Sequence, residues 1–253
     1  MSTYPWRLRI HHEGGTSIRL EKPGPWIRFD PRKVDDVNHL HLLHAATSTS
    51  IRGLEQAIET GHQPTVVASS ECLGRLPSLG QANKHTPPVE LDGLVIRSLP
   101  YTPRVAEDAE PLLRKLGRAV RYPDQAARRL LEGQKEAEES PSIFDIQLPD
   151  GGRLLHLHLS LHDQTPGAWL EEVCTEFRGA DWILVGVPFG QDEAVIRHLP
   201  GFEGKLLLLT DLINDQRATA GLPTSVLTPT VDRLKTNGLS AFPFSAGSSY
   251  RFE

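Results

Sequence analysis

Apolar and polar positions alternate in short runs toward both ends of the chain, while the middle follows a helical spacing. Residues 6–10 and 16–21 read as two strands on either side of a Gly14-Gly15 turn. Residues 26–29 form a third run that stops at Asp30-Pro31, where proline cannot continue a ladder. Across 37–43, Leu40 and Leu42 alternate with His39 and His41, which predicts a fourth strand. Ile51, Leu54 and Ile58 recur at helical spacing within 50–59, with Gly61 as the stop, and 64–68 reads as a buried strand.

A strand at 94–99 leads into a helical pattern over 103–139. Leu112, Leu113, Leu116 and Val120 precede Pro123, and Ala126, Ala127, Leu130 and Leu131 follow it. Eight basic and eight acidic residues balance between Tyr101 and Ser140, as expected of a solvated helical hairpin with one apolar face. Strands at 143–148 and 153–161 flank the Pro149-Asp150-Gly151-Gly152 turn signal. Helix 169–177, strand 180–187, helix 192–198 and strand 205–211 come next. Thr228-Pro229 predicts the N-cap and first turn of a helix reaching Thr236, with Gly238 past its end, and strands at 239–244 and 249–252 complete the pattern. This order implies two similar halves packed as one domain over 1–253, carrying a helical hairpin insertion at 101–142.

Composition narrows the function classes. Lysine and arginine total 27 against 32 acidic residues, a formal charge of −5, and no basic run is interleaved with aromatics, so nucleic acid is not an expected partner. No apolar run approaches the roughly 18 residues of a membrane span, and no membrane partner is expected. Residues 1–10 lack a signal-type apolar core. Cys72 and Cys174 stand far apart in no ligand-like pair, which fits a reducing, cytoplasmic location. Cys72 follows Ser69-Ser70-Glu71 at a helix-start pattern, and a buried, inert thiol is its expected state. Nucleophile-elbow, Walker A and dinucleotide-binding glycine patterns are absent from the sequence.

Two stretches resemble the metallo-β-lactamase superfamily, in particular its lactonase-like branch. Gly14-Gly15-Thr16-Ser17-Ile18-Arg19-Leu20 and Trp26-Ile27-Arg28-Phe29-Asp30-Pro31 are similar to that branch's opening strands. Leu40-His41-Leu42-Leu43 takes the place of the strand before the metal motif H-x-H-x-D-H, and Ile51-Arg52-Gly53-Leu54 resembles the run after it. In the second half, 179–185 resembles the strand that opens on alanine-aspartate, and 205–211 stands where the family delivers its last histidine ligand. The resemblance implies an α/β protein, an αββα four-layer sandwich with the 101–142 insertion.

Against that motif the aligned segment reads His44-Ala45-Ala46-Thr47-Ser48-Thr49, so only His44 remains of four ligand positions. Alanine offers no lone pair, and a neutral hydroxyl is a poor zinc ligand beside imidazole or carboxylate. The expectation is therefore a non-catalytic member of the fold, without a cofactor, that binds a protein partner, with the 101–142 insertion as the docking element. The alternative is a zinc-dependent hydrolase of an ester, lactone or phosphoester with a rebuilt site drawn from His44, His156, His158, His162, Asp163 and Asp211. His156 and His158 share a strand face at two-residue spacing, as do His39 and His41, and an exposed strand face is the simpler expectation for both pairs. His11-His12 reads as polar surface.

Overall fold

The structure, a computed structural model, describes residues 8–22, 26–31, 39–76, 80–101, 140–202, 206–212, 214–219, 221 and 224–252. Alternation places the side chains of each strand on two faces, and here central strands such as Leu40–Leu43 and Trp182–Gly186 are buried on both. Strands β1 (Leu8–Gly14), β2 (Ser17–Glu21), β3 (Ile27–Phe29), β4 (Leu40–Leu43), β5 (Thr65–Ala68), β6 (Asn83–His85) and β14 (Ser249–Phe252) form one seven-stranded sheet, in the order β14-β1-β2-β3-β4-β5-β6. Strands β7 (Val89–Leu91), β8 (Leu94–Pro100), β9 (Ser142–Gln147), β10 (Arg153–His158), β11 (Trp182–Gly186), β12 (Leu206–Thr210) and β13 (Ala241–Phe244) form the second, in the order β13-β12-β11-β10-β9-β8-β7.

The sheets share one pairing scheme. Antiparallel pairs run from one edge to β3 in the first sheet and to β10 in the second. Beyond those two strands every pairing is parallel. The sequence-level expectation of two similar halves thus has its counterpart in the ladders.

Between the sheets, Ile10, Ile18, Leu20 and Phe29 meet Ile96, Phe144, Ile146, Leu154, Leu184 and Leu208 in a dry core. Each fully buried side chain of this kind contributes roughly 1.5–3 kcal/mol. Helices α1 (Ser48–Glu59) and α2 (Ser70–Gly74) cover the first sheet, setting Leu54, Ala57 and Cys72 on Leu43, Val66 and Ala68. Helices α3 (Gly167–Glu176), α4 (Asp192–His198) and α6 (Leu227–Thr236) cover the second through Val173, Val195, Val231 and Leu234. A short helix α5 (Asn214–Thr219) follows β12. The layers are therefore helix, sheet, sheet, helix.

Local chemistry explains where the elements start and stop. Thr47 caps α1, its hydroxyl accepting the Ser50 N–H at 3.2 Å, so the helix opens earlier than the apolar spacing predicts. Ser69 caps α2 in the same way through the Cys72 N–H, and the Cys72 thiol is fully buried. Helix α6 begins at Leu227 rather than at the predicted Thr228-Pro229 cap, and Pro229 falls in the first turn, where a missing N–H is harmless. Strand β10 ends at His158 instead of running on to 161. Strands β6 and β7 were not expected. The predicted hairpin over 103–139 lies outside the described residues. Among the described residues no helix is long and apolar enough to cross a membrane.

Gly186 closes β11 against the turn that leaves β10. A Cβ built there meets Leu159 Cδ2 at 2.6 Å and both the His158 carbonyl oxygen and Leu212 Cδ1 at 2.8 Å. Gly186→Ala is expected to cost about 1–3 kcal/mol, the usual penalty for overpacking a close contact. A urea titration checks this, and an unchanged midpoint would show that the 158–159 turn yields freely.

Candidate metal centre

Strand β3 stops at Phe29 because Asp30 takes a φ of 40°, a left-handed conformation that few non-glycine residues adopt. Its N–H still bonds the Leu42 carbonyl at 3.0 Å, which turns the carboxylate toward the end of β4. There Oδ1 accepts the His44 N–H at 3.0 Å, and Oδ2 lies 2.7 Å from His44 Nδ1. The His44 carbonyl accepts the Ser142 N–H at 2.9 Å, so this corner is tied to the second sheet as well. Asp30 and His44 are buried, at 2% and 1% exposure.

Strand β10 supplies the facing groups. His156 sits on its inner face, edge-on to Phe29 with ring centroids 4.5 Å apart. The register against β11 then shifts between His156 and His158, and His158 takes a φ of 50°. An irregularity of this kind re-aims a side chain. The His158 ring stacks on His44 at 4.4 Å and 17°, with Nε2 3.8 Å from Asp30 Oδ2. His156 and His44 lie 4.4 Å apart, and Phe144 closes on His44 at 5.1 Å. Among the described residues, two of the three positive-φ non-glycine residues, Asp30 and His158, are thus in this corner. Such conformations cost on the order of 1–3 kcal/mol each and gather at functional sites.

Burial decides the protonation of the imidazoles. Desolvation holds the pKa values of His156 and His158 well below the ordinary histidine value, and neighbouring imidazoles, His44 first, lower both further. Both rings are therefore neutral at neutral pH, and each keeps one ring nitrogen with a lone pair. His44 Nε2, His158 Nε2 and both nitrogens of His156 have no hydrogen-bond partner among the described residues. Buried imidazole nitrogens of this kind are what a borderline-soft divalent cation binds.

The donor set fits such an ion. Asp30, His44 and His158 each offer one atom within 4.8 Å of the others. Asp30 Oδ2 and His158 Nε2 lie 3.8 Å apart, near the roughly 3.3 Å that neighbouring donors take around a tetrahedral cation with bonds of about 2.0–2.1 Å, while the 2.7 Å from Asp30 Oδ2 to His44 Nδ1 is a hydrogen bond. His156, facing His44, is a further donor beside this group.

Of the residues predicted from sequence, His44, His156 and His158 come together, and His162, Asp163 and Asp211 do not join them. His162 organises a turn, its Nδ1 accepting the Gln164 N–H at 3.2 Å. Asp163 is mostly exposed and lies 3.8 Å from Arg197. Asp211 pairs with His12, whose Nε2 is 3.4 Å from its Oδ1. The expectation of exposed histidine faces is corrected: His39, His41, His156 and His158 are all buried, as is His12. The face that alternation left polar is covered by the first sheet in the case of β10. Asp30 and Tyr101 were missed as site residues. The Asp30-Pro31 strand end marked the first of them, and nothing in sequence marked the second.

Acidification tests the neutral state. Folded-state pKa values of His156 and His158 lie below the unfolded value of about 6.5, so the unfolded chain takes up these protons first. Their contribution to stability is complete above about pH 6.5 and is lost as pH falls below it, by up to about 1.4 kcal/mol per pH unit for each imidazole. In urea titrations from about pH 8 to 5, His156→Gln should give a shallower loss than wild type. Equal slopes would mean that His156 takes up its proton over the same pH range in the folded and unfolded chains.

No protein-family model matches the chain, and no curated protein matches its sequence. Solved structures do. Igni18, a novel metallo hydrolase from the archaeon Ignicoccus hospitalis, superposes with a TM-score of 0.66 at 13% identity, over 97% of this chain and 98% of its own. A possible metal-dependent hydrolase from Veillonella parvula gives 0.60 at 10% identity, over 97% and 99%. CmlA, a diiron beta-hydroxylase from Streptomyces venezuelae, gives 0.58 at 9% identity, over 99% of this chain and 55% of its own. At such identities the likeness is one of fold. The four-layer order and the two matched sheets describe that fold: the chain is a metallo-β-lactamase-like αββα sandwich.

Proposed function

We propose that this chain is a metal-dependent hydrolase of an ester, lactone or phosphoester, with its metal held at a rebuilt site by Asp30, His44 and His158. The observation that carries this reading is the convergence of three buried donors within 4.8 Å at the ends of β3, β4 and β10. When bound, a divalent cation such as zinc supplies Lewis-acid chemistry that activates water for attack on such a bond. The chain's own residues do the rest. Asp30 orients the His44 ring by accepting from Nδ1, in the manner of a carboxylate that fixes a ligand's tautomer. Phe29 and Phe144 wall the imidazoles from behind and keep that side dry. The local metal-hydrolase character of the solved neighbours is consistent with this chemistry.

A second reading is the metal-free, partner-binding scaffold. Its support is the loop after β4, where Ala45 and Ala46 offer no side-chain donor and the Thr47 hydroxyl is engaged at the start of α1. On this reading residues 101–142 dock a protein partner.

Elemental mass spectrometry of protein dialysed without chelator separates the two. The hydrolase reading expects about one equivalent of zinc, iron or manganese, falling below about a tenth in His158→Ala and His44→Ala, with hydrolysis of an ester, lactone and phosphoester panel lost in parallel. Less than about a tenth of an equivalent in the wild type would falsify the hydrolase reading and leave the scaffold.

A further inference from the structure

We propose that Tyr101 is a positioning residue that sets which nitrogen of His158 faces Asp30 and fixes the tautomer in which it does so. The inference rests on the metal-centre reading for its consequence, though not for its geometry. The Tyr101 hydroxyl lies 2.6 Å from His158 Nδ1, and both side chains are buried. With Nδ1 engaged there, Nε2 is the nitrogen directed at Asp30 Oδ2, 3.8 Å away, and it is the nitrogen without a hydrogen-bond partner among the described residues.

The direction of the bond follows from counting protons. The phenol oxygen also receives a backbone hydrogen bond from Leu159. A phenol keeps its proton at neutral pH, and a buried hydroxyl must place that proton on an acceptor. Nδ1 is that acceptor at 2.6 Å. A neutral imidazole carries one N–H, so the His158 proton sits on Nε2 in the metal-free protein. When Nε2 is taken by a cation the proton belongs on Nδ1, and the same phenol oxygen has a second lone pair to accept it. A hydroxyl serves both states, whereas a phenyl ring serves neither.

Tyr101 is itself held in place. Its N–H bonds the Pro141 carbonyl at 2.8 Å. The preceding carbonyl, that of Pro100, accepts the Trp169 indole N–H at 2.7 Å, and the Trp169 ring packs 6.3 Å from the phenol. These contacts fix the ring independently of its hydroxyl, so Tyr101→Phe should preserve packing and remove only the bond to His158.

The test has two readouts. The first is the histidine side-chain nitrogen spectrum of the chelator-treated, metal-free protein at about pH 7.5, with His158 assigned by its absence in His158→Gln. Wild type should show His158 protonated on Nε2, and Tyr101→Phe should show a mixture of tautomers. The second is zinc affinity by chelator competition. Tyr101→Phe should keep one site but bind about 10–100-fold more weakly, the usual effect of losing a group that supports a ligand. A wild-type His158 protonated on Nδ1, or a spectrum unaltered in Tyr101→Phe, overturns the proposal even if affinity falls, because the fall would then be one of packing. Wild type that binds no zinc but shows the predicted tautomer change defeats the hydrolase reading and leaves Tyr101's role standing.

Discussion

Asp30 commits both carboxylate oxygens to one residue, the backbone N–H of His44 through Oδ1 and its ring through Oδ2. Those two contacts join the ends of β3 and β4, neighbouring strands that run in the same direction. They also hold a carboxylate inside a core where an isolated charge is costly, because the accepted hydrogen bonds replace its hydration. Without that pair His44 has no fixed orientation, and His158 and His156, which pack on its ring, lose the surface they are set against. The corner is therefore built outward from one interaction rather than assembled from independent ligands.

Its location follows from the ladders. In each sheet a single strand separates antiparallel from parallel pairing, β3 in the first and β10 in the second. Asp30 follows β3 directly and His158 ends β10, and both carry a positive φ. The two halves of the fold thus present a strained residue at matching places, and the sandwich brings the two face to face. Gly186 completes the arrangement on β11, since any larger residue would collide with the turn that positions His158.

Much of this was legible in the residues and some was not. Alternation and turn chemistry located most strands, and the Pro149–Gly152 turn joins β9 to β10 as its composition predicts. The hairpin between β7 and β8 also carried a legible signal. Asp92-Gly93 takes positive φ at both positions, as its turn type requires, but Val89–Leu91 is too short to stand out as a strand. Helix α1 was placed by its apolar spacing and its true start by Thr47, a cap whose effect is local. The histidines of β10 show the limit. Period two states that His156 and Leu155 face opposite sides, yet both sides are dry, and which sheet covers His156 is a long-range fact. Tyr101 is harder still, because a tyrosine at the end of β8 acquires meaning only through a strand 57 positions away.

The absence of most of the family's ligand pattern from the loop after β4 invites the conclusion that nothing in this corner binds a metal. The physical chemistry of the corner points the other way. Apolar residues of similar volume are generally more stable in a dry interior than polar groups whose hydrogen bonds are incomplete. Here three imidazoles are packed together with four ring nitrogens that have no hydrogen-bond partner among the described residues, beside two strained backbones. A scaffold kept only for its surface has no need of such an interior, and departures from local rules of this kind are expected at working sites. A cation at Asp30, His44 and His158 would engage ring nitrogens that have no hydrogen-bond partner among the described residues. It would also explain why the strain is placed on the two residues that face each other across the sandwich.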